Sequence, residues 1–143
     1  MERTDRDVDA FLAGLEGERA DAMRELDRII SAELAGLERA LWQGVFWGGT
    51  EQSIIGYGAI TQERPRAASV DWFLIGLAEQ AKHVSVYVNA AEDGEYLVKR
   101  RADTLGRVKV GSAAITITTL DRLDRDGFVA LLRRARELVP DAS

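Results

Sequence analysis

Apolar residues recur along this chain with two periods, and the change from one to the other divides it. Val8, Phe11, Leu12 and Leu15 stand at i, i+3, i+4 and i+7, one stripe of an α-helix. Thr4 precedes them, its hydroxyl able to cap the first turn, with Asp5 and Asp7 at the positive end of the helix dipole. Gly14 and Gly17 bracket the end of this helix. A second is predicted from about Glu18 to Leu34, with Ala22, Met23, Leu26, Ile29, Ile30 and Leu34 facing inward and Gly36 closing it. The short link makes the two a helical hairpin.

Beyond Gly36 the period falls to two. Ala40–Trp47 and Ser53–Thr61 read as strands around a turn at Gly48-Gly49-Thr50-Glu51. Gly56 and Gly58 share one face of the second strand, marking a bulge or the close approach of another group. After a loop over Gln62–Ala68, which contains Pro65, come strands Ser69–Leu77 and Lys82–Asn89, joined by a turn at Ala78–Ala81. Such short connections favour an antiparallel meander. Glu92–Leu105 is predicted as a charged helix ending at Gly106, and Ala113–Thr119 as a fifth strand. Asp121 or Asp124 then caps a last helix with the stripe Phe128, Leu131, Leu132, Ala135, Leu138 and Val139, which Pro140 stops. The order ααββββαβα implies one domain over residues 1–143. It is a two-layer α+β fold, with a mostly antiparallel five-stranded sheet and helices on one face.

Composition narrows the function classes. With 46% apolar and 30% charged residues the chain has ordinary globular composition, and 143 residues can bury a real core. It has no cysteine, which excludes disulfides, thiolate metal sites and a cysteine nucleophile. The first residues carry no apolar signal-peptide core and no stretch approaches a membrane span, so a cytoplasmic protein without membrane contact is expected. A net charge of −5, with Lys99-Arg100-Arg101 the longest basic run, speaks against nucleic-acid binding.

Alternation divides each strand between two faces. Val84, Val86 and Val88 form the apolar set for the helices, leaving His83, Ser85, Tyr87 and Asn89 on the opposite face. The fifth strand adds Ser112, Ala114, Thr116 and Thr118 to that face, and Lys109 stands at its rim. Trp42, Phe46, Trp47 and Tyr57 cannot all enter one core, so Trp42 and Tyr57 are candidates for the same surface. This gives a candidate binding surface of His83, Tyr87, Ser85, Thr116, Lys109, Trp42 and Tyr57, suited to a small ligand, a protein partner or a homodimer contact. A single histidine excludes histidine-rich metal sites, and no Gly-x-Ser-x-Gly is present. Asp21 and Glu25, one helical turn apart, are the candidate ligands for a hard cation such as iron, although Arg19, Arg24 and Arg28 are interleaved as in surface ion pairs.

Three segments together resemble the DUF1801 family, also called YdhG-like proteins. They are Val8-Asp9-Ala10-Phe11-Leu12-Ala13-Gly14-Leu15, Lys82-His83-Val84-Ser85-Val86-Tyr87 and Leu105–Ile117, followed by the final helix. Where that family often carries a Tyr-Gly-x-Pro-like segment, this chain has Leu41-Trp42-Gln43-Gly44-Val45-Phe46. The resemblance implies a two-layer fold like that of secretion chaperones. It also implies, from relatives described as frataxin-like iron chaperones, iron delivery through His83 and the helix carboxylates. The leading expectation is a non-enzymatic binding module using the sheet face away from the helices, with iron delivery as the alternative. No resident cofactor is expected.

Overall fold

A computed structural model describes residues 1–46, 49–64 and 67–143. Trp47, Gly48 and Pro65, at the end of one expected strand and in two expected connections, lie outside the described residues. The main sheet has seven strands, all paired antiparallel. In chain order they are β1 (Glu2–Arg3), β2 (Arg39–Phe46), β3 (Thr50–Arg64), β4 (Ala67–Glu79) and β5 (Val84–Val88). After a separate two-stranded hairpin of β6 (Ala91–Glu92) and β7 (Glu95–Tyr96) come β8 (Lys109–Gly111) and β9 (Ala114–Ile117). In space the order is β1-β2-β3-β4-β5-β9-β8. The four helices are α1 (Val8–Ala13), α2 (Ala20–Glu33), α3 (Leu97–Arg100) and α4 (Arg125–Leu138).

One apolar cluster joins helical Leu12, Met23, Leu97 and Phe128 to Ile55 and Val86 of the sheet. A second, smaller cluster of Trp42, Ile54, Phe73 and Ala78 contains no helical residue. The helices therefore occupy one face, as alternation on β5 predicts: Val84, Val86 and Val88 all join the helix-side core. Glu25 and Glu33 of α2 meet Arg125 and Arg133 of α4 at matched spacing, so these two helices run parallel.

Several expectations are corrected. The first helix starts at Val8, capped by Asp7, whose side chain accepts from the Ala10 amide. Thr4 is taken up elsewhere: its amide and hydroxyl both donate to the Leu41 carbonyl, which docks β1 against β2. With β8, this raises the sheet from five strands to seven. The expected helix over Glu92–Leu105 is mostly absent. Asp93 and Gly94 both have positive φ, 54° and 79°, the geometry of a tight hairpin turn, so Ala91–Tyr96 folds as β6–β7. Only Leu97–Arg100 and a 3₁₀ turn at Ala102–Thr104 are helical. Ser112, with φ 51°, turns the chain between β8 and β9. Asp124, not Asp121, caps the last helix by accepting from the Gly127 amide. The expected loop at Gln62–Ala68 is largely strand, because β3 and β4 pair as far as Arg64 and Ala67.

Candidate functional site

The face opposite the helices gathers five of the seven expected surface residues. Register places Ser85 beside Ala78 and Thr116, and Thr116 beside Lys109. Tyr87 lies between Gly76 and Ala114. Ser85 is buried, Tyr87 half-buried and Lys109 exposed. Burial pushes the Tyr87 phenol above its ordinary range, opposed by hydrogen bonds from Ser85 and Gln80. His83 is not part of the strand. It sits in the β4–β5 turn, where its carbonyl accepts from the Gln80 amide.

Trp42 stands on this face too, nearly covered at 5% exposure. Its ring packs edge-on against Trp72 at 5.5 Å and Phe73 at 5.6 Å, while Trp72 and Phe73 stack at 4.6 Å. The rings lie on bare backbone, because Gly56 and Gly76 are direct cross-strand partners. A Cβ on Gly56 would stand 2.7 Å from Trp42 Nε1, and one on Gly76 would stand 2.4 Å from Phe73 Cε1. The close approach expected at Gly56 is thus made by aromatic rings.

Beside this aromatic cluster opens a cleft of about 590 Å³. β3 outruns β2, whose pairing stops at Arg39 opposite Tyr57. At Gly58, with φ 80°, consecutive amides of Gly58 and Ala59 donate to the Glu38 and Ser143 carbonyls. Ala59 and Ser143 exchange both backbone hydrogen bonds, 2.8 and 3.0 Å, an antiparallel pair that lays one residue along the β3 edge. The cleft runs on from there, between the β3–β4 ribbon and the segment after α4, with Trp42 among its lining residues. Among the described residues, four carboxylates line it, from Glu38, Glu63, Asp71 and Asp141, against the one guanidinium of Arg3. Arg3 is already bound to Glu38 at 2.5 Å. Glu63, Asp71 and Asp141 form no ion pair among the described residues. Of the residues singled out from sequence, only Trp42 lines this cleft. Its other walls come from segments far apart in the chain, which no local pattern signals.

Tyr57 belongs to the other face. It is 1% exposed, on the helix side of β3, and its hydroxyl donates to Asp27 Oδ1 at 2.7 Å. Alternation decides this: Gly56 faces the aromatic cluster, so Tyr57 must face the helices. Arg39 donates to both oxygens of Asp27, at 3.1 and 2.8 Å, and reaches Asp9 at 2.9 Å. Burial, together with the Asp27 charge, raises the Tyr57 phenol well above its usual value of 10.0. Above about pH 10 the unfolded chain therefore loses this proton while the folded chain keeps it, so stability falls as pH rises. Tyr57→Phe is expected to flatten that fall in urea titrations between about pH 9 and 11.

The Asp21 and Glu25 pair does not form a cation site. Asp21 is exposed and pairs with Arg24, while Glu25 binds both Arg28 and Arg125. Those guanidiniums hold the Glu25 carboxyl below its ordinary range and occupy the oxygens that a cation would need. Among the described residues no group of three or more histidine, aspartate or glutamate side chains is placed to hold a metal ion. No helix there is long and apolar enough to cross a membrane. Comparisons with protein-family models, with curated proteins and with solved structures give no match.

Proposed function

We propose that this chain is a non-enzymatic binding module whose site is the cleft at the end of the second sheet face. The observation that carries this reading is a cavity of about 590 Å³, within the range of ligand sites, that the buried Trp42 helps to line. Part of its wall comes from the strands β3 and β4, which favours a preformed site. The only histidine, His83, is not among the lining residues, and no hydroxyl in the cleft has a histidine beside it as a base.

Ala142 lines the cleft and is half-buried, so Ala142→Trp fills the space from one wall. Thermal shift against a panel of small amines, carboxylates and short peptides is expected to find compounds that stabilise the wild type. At a hundredfold excess over Kd the gain is about 2.7 kcal/mol. The Ala142→Trp variant is expected to fold and to lose that gain. Stabilisation that survives this substitution would place the site elsewhere.

A further inference from the structure

We infer that the cleft takes an extended, basic peptide segment of a partner protein, which adds as a strand to the free edge of β3. This rests on the cleft being the binding site, and it names the occupant. Two independent features carry it.

The first is the backbone. β3 continues to Arg64, with a register shift between Gln62 and Arg64, although β2 stops pairing at Tyr57. Beyond Tyr57 its backbone bonds on that side go to Glu38 and Ser143, and the turn over residues 139–142 stands across the cleft. Ser143 shows that the edge accepts an extended residue in antiparallel register, since it and Ala59 exchange both main-chain bonds. Strand period two turns the N–H and C=O of Thr61 the same way as those of Ala59, into the cleft. An exposed ladder of this kind is what strand addition uses: main-chain bonds give affinity and alternate side chains give specificity. The sheet's outer strands contrast with it. β1 and β8 are only two and three residues long, which limits pairing there.

The second is charge. The carboxylates that bridge helices and strands are matched: Glu25, Glu33 and Glu92 each hold an arginine, and Asp27 holds Arg39. Around the Thr61 edge Glu63, Asp71 and Asp141 stand without an ion pair among the described residues, and the one cation, Arg3, is neutralised by Glu38. An acidic segment would meet unpaired like charges, whereas lysine or arginine side chains would meet partners. Aliphatic side chains alternating with them would meet the apolar part of the cleft lining, such as Ile60.

The test uses fluorescence anisotropy of a labelled alternating lysine–valine peptide with the full chain. Saturable binding is expected, weakening as salt rises. An alternating glutamate–valine peptide is expected not to bind. The lysine–valine peptide N-methylated at every residue removes all the peptide's backbone donors without touching the protein, and is expected to lose binding. Glu63→Gln, Asp71→Asn and Asp141→Asn together are expected to weaken binding about tenfold, consistent with three exposed charge contacts. Equal binding of the N-methylated peptide, or of the glutamate–valine peptide, would overturn the proposal. If small compounds stabilise the wild type and not Ala142→Trp while no peptide binds, the cleft stands and the peptide assignment fails. If neither binds, both fail.

Discussion

Asp27→Ala is expected to destabilise the fold by about 3 kcal/mol, the range seen when one partner of a buried ion pair is removed. Asp27 is 9% exposed and lies where α2 crosses the start of β2 and the middle of β3. Its carboxylate accepts from Arg39, Tyr57 and Ser31, joining one helix to two strands. Without it the Tyr57 hydroxyl is left in the core with no acceptor, and an orphaned buried group costs about 1–3 kcal/mol. Arg39 keeps Asp9, which limits the loss on that side. Urea unfolding of Asp27→Ala, Tyr57→Phe and the double variant checks this. Tyr57→Phe alone is expected to cost about 1 kcal/mol, and the double variant less than the sum, because the two residues share one hydrogen bond.

Gly127→Ala is expected to cost about 3 kcal/mol, the upper part of the overpacking range. Gly127 lies in the first turn of α4, its amide bonded to the Asp124 cap. An alanine Cβ there would stand 1.8 Å from the Thr104 carbonyl oxygen and 2.8 Å from its carbon. Backbone, unlike the end of a side chain, cannot rotate aside, so α4 or the turn at Ala102–Thr104 must shift. Alanine's better helix propensity, worth about 1 kcal/mol, offsets only part of this. Calorimetry is expected to show a melting temperature lower by roughly 10 °C. At Gly76 the same change meets the Phe73 ring, which can turn, so its effect is expected to be smaller.

The main architecture is legible in the sequence wherever the determinant is local. The stripe from Phe128 to Leu138 and the alternation of Val84, Val86 and Val88 place α4 and β5 correctly because burial imposes their periods. α3 is misread for a local reason as well: the charged run after Asn89 suits a solvated helix, but Asp93-Gly94 is a hairpin turn signal. β1 leaves no periodic trace. Glu2 and Arg3 are exposed polar residues made into a strand by Trp42 and Gln43, far along the chain.

The site was less legible than the fold. Sequence alone does not say which of Trp42 and Tyr57 faces the helices, and register with the Gly56–Gly76 pair decides it. Asp27 looks like its neighbours Asp21 and Glu25 on an amphipathic helix, yet it alone is turned to the buried Tyr57. The cleft depends on β3 outrunning β2 and on Ser143 folding back to Ala59. Both are differences between distant segments, invisible to a reading one element at a time.

The most direct test of the binding reading is a two-dimensional ¹H–¹⁵N NMR map of the whole chain as the lysine–valine peptide, or a stabilising compound from the panel, is added. The largest shifts are expected at the Trp42 indole and at the amides of Thr61, Glu63 and Asp71 around the cleft. Shifts centred on Ser85, Tyr87 and Thr116, or on the Asp21 and Glu25 turn of α2, with the cleft signals unmoved, would contradict the account.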